Sequence, residues 1–476
     1  MNNLDSIPLG LTYDDVLLVP QYSDIASRKH IDLGTYFSRR VKINIPIVSA
    51  NMDTVTESRM AIAMALCGGI GVIHRFMTIE EEIAEVKKVK RAQNFIIKEP
   101  VCISPNATLG EAIALMKQHG IHGLLVCESD QHLQGILTSR DLKFKVDLQF
   151  SVRECMTPRA KLITVSPQVA KEEALLIFDK HKIEKLPVVN ERDEIVGLIT
   201  ASDFRKHTEN TMAAYDKNGR LLVAAAIGVK DGLVRAEALI KAGADALVID
   251  IAHGHNDKCL QLTKELKLAW PDTDVVAGNI ATATGALDLI KAGADAVKVG
   301  VGPGAACSTR IVSGSGVPQL TAIANIAPVC RQYGVPLIAD GGVKTSGDVA
   351  KAIGAGANTV MMGNLFAGAL ESPGEYYIED GQAIKVYRGL ASREASIDRQ
   401  AIEKNVDRQD RAPEGISYKV SYKGDVKKII NLLVDGLQSG MSYSGAKSIQ
   451  EFWDKAEFVR ISEAGMKESQ PRSYQK

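Results

Sequence analysis

The stretch Ala242-Gly-Ala-Asp-Ala-Leu-Val-Ile-Asp250 decides the fold, because a small-residue helix end runs directly into a short apolar strand. The same pattern returns at Ala292–Gly300 and at Ala355–Gly363. Other short apolar runs, bounded by glycine or by polar turns, lie at 47–50, 70–73, 222–227, 275–277 and 336–339. Short buried strands that alternate with helices predict βαβ units around a parallel sheet.

About eight such strands predict an α/β protein with a TIM (β/α)8 barrel, and an open doubly wound sheet is the alternative. A tandem repeat interrupts this pattern: Thr138-Ser-Arg-Asp141 recurs as Thr200-Ala-Ser-Asp203, at the offset that also relates Ser104-Pro105 to Ser166-Pro167. Two self-similar units of this kind are expected to stack on each other. The predicted domains are 1–95 (barrel, first part), 96–206 (the inserted pair, about 96–150 and 155–206) and 207–476 (barrel, second part).

Composition argues against several classes of function. The 476 residues include 57 Lys+Arg and 57 Asp+Glu, so we expect neither nucleic acid nor a membrane as a partner. The seven cysteines form no C-x-x-C pair, which argues against structural zinc and disulfides and favours a reducing, cytoplasmic location. The sequence has neither a signal-peptide pattern nor an apolar run of about 18 residues, so we expect no membrane span.

The densest chemical signal is the loop from Val299 to Arg310, which follows a predicted strand at the end where barrel enzymes carry their sites. Glycines at 300, 302 and 304 let the backbone turn sharply and approach a ligand. Cys307 is expected to be exposed at the tip, where loop N–H groups and Arg310 would favour its thiolate. The alternative is a tight loop with an incidental cysteine, and the G-x-G-x-x-G dinucleotide pattern is not met.

Polar groups follow several other predicted strands. The turns Ala339–Gly342 and Met362–Asn364 have the composition of phosphate cradles, although such turns can also simply close strands. Asp340 suits ribose hydroxyls, because a carboxylate accepts two hydrogen bonds. The loop Asp250–His255 and Asn279 are expected to face a ligand, and a metal on the two histidines of that loop is the alternative.

Two further features bear on mechanism. The charged segment Arg393–Pro413 is either a solvated loop or a mobile flap over the site. Lys298 lies in the middle of a predicted strand, where we expect it to be packed or ion-paired. That position argues against a Schiff-base aldolase.

Over nearly its whole length the sequence resembles the IMP dehydrogenases and GMP reductases. The tandem repeat resembles a pair of CBS modules. The segments that carry the family resemblance are Leu11–Pro20, Ile47–Asp53, Asp250–His255, Gly300–Arg310, Gly316–Gln319, Ala339–Gly342, Tyr387–Gly389 and Pro413–Gly415. The resemblance implies a TIM barrel, a purine nucleotide substrate (GMP or IMP), a nicotinamide cofactor and attack by Cys307 on carbon 2 of the purine.

The resemblance also implies roles for individual residues. Thr309 and Glu414 would sit beside carbon 2 and handle the proton of the leaving group, and Met52 would pack on the purine. The ribose phosphate would be held by Asp340, Gly342, Gly363, Asn364, Tyr387 and Gly389. The cofactor would be contacted by Asp250, Asn279, Gly300 and Gly302. A monovalent cation, K+, would be bound by Gly302, Gly304, Cys307, Glu468 and Ser469. The family usually has serines where Ala305 and Asn364 stand, so the phosphate contacts differ here.

The choice between the two family activities depends on the flap. In dehydrogenases an Arg-Tyr pair in the flap activates the water that hydrolyses the adduct, and residues 392–413 contain no tyrosine. The sequence therefore favours GMP reductase, with NADPH as the reductant and IMP and ammonia as products. The alternatives are an IMP dehydrogenase that makes XMP with NAD, and a catalytically inactive barrel that senses nucleotides.

The inserted pair predicts regulation. In each Thr-x-x-Asp turn the hydroxyl can bind a phosphate oxygen and the carboxylate can bind ribose hydroxyls, which makes Thr138, Asp141, Thr200 and Asp203 candidates for binding ATP, GTP or GMP. The alternative is that each aspartate only caps the following helix. The resemblance further implies homotetramers, which CBS pairs can join into octamers.

Overall fold

Two units make up the chain in the computed structural model, residues 1–92 with 212–476 and residues 93–211. The structure describes residues 7–92, 96–97, 100–128, 131–143, 147–169, 171–201, 204, 212–395, 397 and 412–469.

Most of the strands are short. In chain order they are β1 (Val16–Leu18), β2 (Thr35–Tyr36), β3 (Lys42–Ile43), β4 (Ile47–Ser49), β5 (Ile70–Ile73), β6 (Cys102–Ile103), β7 (Gly123–Cys127), β8 (Leu133–Thr138), β9 (Thr157–Pro158), β10 (Lys185–Val189), β11 (Ile195–Thr200), β12 (Ala224–Ile227), β13 (Ala246–Ile249), β14 (Asp274–Ile280), β15 (Ala296–Val299), β16 (Leu337–Asp340), β17 (Thr359–Met362), β18 (Tyr377–Glu379), β19 (Gln382–Arg388), β20 (Ser417–Ser421) and β21 (Phe458–Arg460).

The described helices range from single turns to 18 residues. They are α1 (Ser58–Leu66), α2 (Ile79–Arg91), α3 (Leu109–His119), α4 (Ser139–Leu142), α5 (Val152–Cys155), α6 (Lys171–His181), α7 (Gly232–Ala242), α8 (Asp257–Ala269), α9 (Ala283–Lys291), α10 (Thr309–Ser313), α11 (Gln319–Tyr333), α12 (Ser346–Gly354), α13 (Asn364–Ala367), α14 (Val426–Tyr443), α15 (Ile449–Lys455) and α16 (Glu463–Glu468). Among the described helices, none combines the length and the apolar character that crossing a bilayer requires.

The eight apolar runs of the sequence form a closed parallel barrel in the order β12-β13-β14-β15-β16-β17-β4-β5. Strand β5 closes the ring by pairing with β12, with Val72 opposite Ala224. The predicted TIM barrel is confirmed, and each predicted strand is found within a few residues of its expected bounds. Because parallel strands all end at the same rim, the loops after them meet on one face of the barrel.

The repeated Ala-Gly-Ala-Asp/Asn motif has a structural reason at the opposite end of the barrel. Its last residue accepts a hydrogen bond from the N–H of a residue at the start of the neighbouring strand: Asp245 from Val223, Asp295 from Val275 and Asn358 from Leu337. The two aspartates also accept from lysine, since Lys90 reaches Asp245 and Lys267 reaches Asp295. The motif therefore satisfies backbone donors that would otherwise be unpaired where the ring of strands begins.

Alternate residues of the barrel strands pack in two layers. One side fills the inside of the ring with mostly small residues, among them Ala224, Ala246 and Ala296 with Ile338 and Met361. The other side packs against the surrounding helices in a larger cluster. Several helices begin with a capping box, such as α2, where Thr78 and Glu81 satisfy each other's backbone N–H groups.

The second unit contains a four-stranded sheet, β6-β7-β8-β9, and the hairpin β10-β11. At the end of β8, the backbone N–H and hydroxyl of Thr138 both donate to the carboxylate of Asp141, which caps α4. The helix-capping role considered for this aspartate is therefore present. Thr200 ends β11 in the corresponding turn, and Asp203 lies outside the described residues.

A small antiparallel sheet, β18-β19-β20, belongs to the barrel unit and carries part of the site. Strands β19 and β20 pair along their length, and their last pair is Arg388 opposite Ser417. The connection between them, residues 389–416, therefore leaves and re-enters the sheet at one point.

Candidate active site

The loop after β15 is shaped by glycines at close backbone contacts. Gly300 has φ of 153°, and a Cβ there would lie 2.0 Å from the carbonyl oxygen of Asp340, so only glycine fits. Arg310 braces the far side of the loop, where its guanidinium donates to the carbonyls of Val317 (2.6 Å) and Val301 (3.4 Å). The hydrogen bonds of Arg310 thus stabilise the loop backbone, whereas the sequence predicted that it would favour the thiolate.

Cys307 is exposed at the tip of this loop and begins a chain of hydrogen bonds. Its thiol donates to Thr309 Oγ1 at 3.2 Å, and the Thr309 hydroxyl donates to Glu414 Oε2 at 2.7 Å. A proton can therefore pass from the Cys307 thiol through the Thr309 hydroxyl to the Glu414 carboxylate. Such an arrangement of nucleophile and base is the general pattern of covalent catalysis.

Glu414 reaches the cysteine because the chain around it pairs with the loop. Ser308 N–H donates to the Glu414 carbonyl at 2.9 Å, and Ile416 N–H donates to the Ala306 carbonyl at 3.0 Å. Cys307 and Gly415 form an antiparallel bridge between these two bonds. Residues 105 to 110 positions apart in sequence are thus held in register by backbone geometry.

Gly389 supports the same contact from the end of the small sheet. Its N–H donates to the Ile416 carbonyl at 3.0 Å, and a Cβ at this position would lie 2.7 Å from the carbonyl oxygen of Ala306. Glycine is needed because three backbone segments meet here. The position predicted as a phosphate contact therefore also packs against the cysteine loop.

Met52 and Tyr387 lie beside each other over the turn after β17. The Tyr387 hydroxyl is 3.5 Å from Met52 Sδ, and a Cβ on Gly363 would be 2.8 Å from that sulfur and 2.9 Å from the hydroxyl oxygen. Burial raises the pKa of the Tyr387 phenol, and Tyr418, Asp340 and Cys307 add to the shift. Tyr387 is therefore a neutral hydrogen-bond donor at the edge of the site.

Asn364, next to Gly363, has a defined partner. Its amide oxygen accepts from the Tyr418 hydroxyl at 3.2 Å, and Tyr418 contacts Tyr387 edge to face at 5.3 Å between ring centroids. The two tyrosines come from adjacent strands, where they oppose each other in the register of β19 and β20. Of the phosphate-binding candidates, Gly363, Asn364 and Tyr387 are therefore brought together.

Asp340 is fixed by two donors at the end of β16. Its Oδ2 accepts from Lys298 Nζ at 2.7 Å and from Asn279 Nδ2 at 2.9 Å. Lys298 is only 3% exposed, which confirms that it is ion-paired as expected. The Asn279 amide also donates to the Gly300 carbonyl, so this residue, predicted to contact the cofactor, ties three strand ends together. Gly342, two residues after Asp340, packs near the ring of Tyr13.

Asp250 lies at the end of β13 and pairs with Arg75, whose Nε is 3.0 Å from Asp250 Oδ2. In the same loop, His255 Nε2 is 2.9 Å from Asp288. Among the described residues, no group of three His, Cys, Asp or Glu side chains could hold a metal ion. Nothing in the sequence indicated Arg75, because it follows a different strand.

The candidates for the cation site lie in two parts of the chain. Gly302, Gly304 and Cys307 belong to the loop after β15, whereas Glu468 and Ser469 lie at the end of α16, where the Ser469 hydroxyl donates to the Gly465 carbonyl. Within the described residues, no hydrogen bond joins Glu468 or Ser469 to the cysteine loop.

The barrel places a cysteine, a hydroxyl and a carboxylate in one hydrogen-bonded chain, which is an arrangement that covalent catalysis by a cysteine requires. A family model described as "IMP dehydrogenase / GMP reductase domain" matches residues 10–472. The chain belongs to the IMP dehydrogenase/GMP reductase family, and it is an oxidoreductase.

Relatives with either activity are similar over nearly the full length. An inosine-5'-monophosphate dehydrogenase of Nitrosopumilus maritimus is 50% identical over 97% of this chain and 98% of its own. A GMP reductase of Leishmania donovani is 46% identical over 98% of each chain. The crystal structure of a GMP reductase variant from Trypanosoma brucei, in complex with guanosine 5'-monophosphate, has a TM-score of 0.92 and 47% identity over 99% of this chain and 100% of that one.

Proposed function

We propose that this protein is a GMP reductase, which converts GMP, NADPH and protons to IMP, NADP and ammonia. The observation that carries the proposal is the hydrogen-bond chain from Cys307 through Thr309 to Glu414, together with a flap sequence that contains no tyrosine. The chain of hydrogen bonds can take the proton from the Cys307 thiol and deliver a proton to the amine bound to carbon 2 of a purine. The flap sequence lacks the Arg-Tyr pair by which dehydrogenases activate water.

The proposed reaction begins at Cys307. Its sulfur bonds to carbon 2 of GMP while its proton passes through Thr309 to Glu414, and the same route returns a proton to the exocyclic amine, which leaves as ammonia. A nicotinamide nucleotide, held by Asp250, Asn279, Gly300 and Gly302, would supply the hydride that carbon 2 gains. The carbon–sulfur bond breaks, IMP is released and the cysteine is regenerated.

The residues around Cys307 support a purine nucleotide as the substrate. Met52 offers a polarisable surface to the purine, and the Tyr387 phenol, held neutral by burial, is available as a donor near Gly363. Asn364, Gly342 and Gly389 would complete the phosphate contacts. The Oδ1 atom of Asp340 would accept from the ribose hydroxyls while Oδ2 stays with Lys298 and Asn279.

NADPH is the expected reductant, and the rim of the barrel fits a nicotinamide nucleotide. Asp250, Asn279, Gly300 and Gly302 lie in or just after the last residues of strands β13, β14 and β15, so they are at the same face of the barrel as Cys307. The Asp250 carboxylate would accept from the nicotinamide ribose while its ion pair with Arg75 holds it in place. A comparison of NADPH with NADH at fixed GMP tests this choice.

IMP dehydrogenase is the second candidate, favoured by relatives of that name at 50% and 49% identity. The decisive experiment is to incubate the enzyme separately with GMP plus NADPH and with IMP plus NAD, following nicotinamide absorbance. Steady NADPH oxidation with release of ammonia supports the reductase. Steady NADH formation with release of XMP would establish the dehydrogenase, and GMP binding without either reaction would favour a nucleotide sensor.

We further propose that residues 96–206 are a pair of CBS modules that bind ATP, GTP or GMP and change activity or assembly between tetramer and octamer. Asp141 caps a helix, but a capping carboxylate can exchange its Thr138 contact for ribose hydroxyls. The double variant Asp141→Ala with Asp203→Ala should lose the nucleotide response and keep its basal turnover. Glu111→Ala, which removes another capping residue of the same unit, is the matched control. An unchanged response in the double variant would place the effector in the barrel.

Deletion of residues 96–206 should leave an active barrel, because the described ends of the barrel unit, Ala92 and Met212, flank the inserted unit. An insoluble product would mean that the insertion contributes to the barrel core.

Two finer assignments complete the proposal. Carbonyl oxygens of the cysteine loop suit K+. Among the described residues, no hydrogen bond joins Glu468 or Ser469 to that loop. Turnover in K+ should therefore be compared with turnover in a bulky organic cation, at several protein concentrations. A cytoplasmic location fits the seven cysteines, all of which are free thiols.

A further inference from the structure

One ion pair outside the reacting groups joins two parts of the site. Asp53 Oδ2 accepts from Arg388 Nε at 2.7 Å and lies 2.5 Å from its NH2 group. The Arg388 N–H also donates to Thr54 Oγ1 at 3.3 Å. The side chains of both charged residues are mostly buried, with Asp53 at 7% and Arg388 at 21% exposed. We call this ion pair the anchor pair.

The anchor pair lies between residues that face the proposed substrate. Asp53 directly follows Met52, and Arg388 stands between Tyr387 and Gly389 in sequence. Met52 and Tyr387 contact each other at 3.5 Å, and Gly389 packs against the residue before Cys307. A shift of Arg388 relative to Asp53 would therefore move the purine contact and the cysteine loop relative to each other.

The anchor pair also lies beside both ends of residues 389–416, which we call the flap connection. Arg388 is the last residue of β19 and pairs with Ser417, the first residue of β20, so the connection 389–416 starts and finishes beside it. Glu414 lies near the end of this connection. The barrel loop that contains Asp53 is thus bonded directly to the end of the small sheet, close to where Glu414 contacts Thr309.

Stability alone is a poor explanation for this ion pair. Burying two charges costs free energy that their attraction often fails to offset. In addition, the Oδ1 atom of Asp53 is buried and has no hydrogen-bond partner among the described residues. An unsatisfied buried carboxylate oxygen is a further cost, which indicates that the position of the pair matters more than its contribution to folding.

We propose that Asp53 and Arg388 are positioning residues. They fix the two ends of the flap connection against the loop after β4, which carries Met52. Met52, Tyr387 and Glu414 are thereby held so that they act on one substrate. The proposal rests on the proposed function only for the identity of the substrate. A misplacement of about 1 Å can cost about 10²-fold in rate, even when it arises away from the reacting atoms. Arg388→Met and Asp53→Asn should each lower kcat/KM by about this factor.

The test compares Arg388→Met, Arg388→Lys, Asp53→Asn and the Arg388→Met/Asp53→Asn double variant with the parent. Lys419→Met is the matched control, since it removes an exposed ion pair with Glu379 on the same sheet. We expect a higher KM for GMP and a lower kcat in both neutral variants, partial recovery in Arg388→Lys, and no added loss in the double variant. A readout independent of turnover is alkylation of Cys307, against which GMP should protect only at higher concentration.

Two results would overturn the proposal. One is a folded Arg388→Met variant with the same kcat, KM and GMP protection as Lys419→Met, whatever its melting temperature. The other is additive losses in the double variant, because residues that act as one unit cannot be lost twice. If the parent oxidises IMP and does not reduce GMP, the proposed function fails, and the same variants measured with IMP still decide the role of the anchor pair.

Discussion

Replacing Glu414 by glutamine isolates proton transfer in this site. The amide has nearly the shape of the carboxylate, so it can still accept from the Thr309 hydroxyl, 2.7 Å away in the parent. The backbone contacts of residue 414 with Ser308 do not involve the side chain. The variant should therefore keep its structure and lose a group that can take up and return a proton.

The expected loss follows from the role assigned to the carboxylate. General acid–base catalysis raises the rate roughly 10²–10⁴-fold, which corresponds to a lowering of the activation free energy by about 2.7–5.4 kcal/mol. The loss should be larger with GMP, whose amine must be protonated to leave, than with IMP. The assay compares steady NADPH oxidation in the presence of GMP with the single burst of NADPH formed from IMP and NADP.

Glu379→Gln, on the exposed face of the small sheet, is the control for a general effect of removing an acid. Equal losses in the two directions would show that Glu414 acts only on the thiol. Activity within about threefold of the parent in both directions would refute the proton route through Thr309, since a step of this kind typically supplies about 10²–10⁴-fold.

Four further outcomes are expected. Cys307→Ala should abolish turnover while calorimetry still detects GMP binding, because the loop contains no second thiol. Gly363→Ala should weaken GMP binding roughly ten- to hundredfold in titrations, through about 1–3 kcal/mol of overpacking against Met52. Asn358→Asp should lower the free energy of unfolding by about 1–3 kcal/mol in urea, because the described partner of its side-chain oxygen is the neutral Leu337 N–H and not a cation. Burial lowers the pKa of Lys385 from 10.5 to about 8, so between pH 8 and 10.5 the unfolded chain binds more protons than the folded one. The stability of the parent relative to Lys385→Met should therefore rise as the pH is raised through this range.

The barrel was predictable because its signal is local and repeated. Each strand is a short apolar run next to a small-residue turn, and the motif ending in Asp245, Asp295 or Asn358 marks three of them. The tandem repeat predicts an insertion for the same reason. Strand ends differ by up to three residues from their expected bounds. Strand β14, expected at 275–277, runs from Asp274 to Ile280 because ladder hydrogen bonds continue into polar residues.

Long-range partners in the site were not predictable from local sequence. Asp53 and Arg388 are 335 residues apart, and neither position stands out by composition. The same holds for Arg75 with Asp250, and for the two donors that Asp340 receives from Lys298 and Asn279. For Arg310 the sequence did not indicate the hydrogen-bond partners, because a cation near a cysteine can also donate to backbone carbonyls.

The return of the flap connection to its starting point has an evolutionary consequence. Because Arg388 and Ser417 are paired, insertions, deletions or replacements between them need not alter the register of the sheet or any strand of the barrel. The entropic cost of a longer loop also grows only slowly with its length. Within a family that includes both dehydrogenases and reductases, this connection can diverge while the nucleophile and nucleotide contacts are inherited unchanged. Under the proposed mechanism, mutations confined to this one connection could therefore change how the adduct reacts.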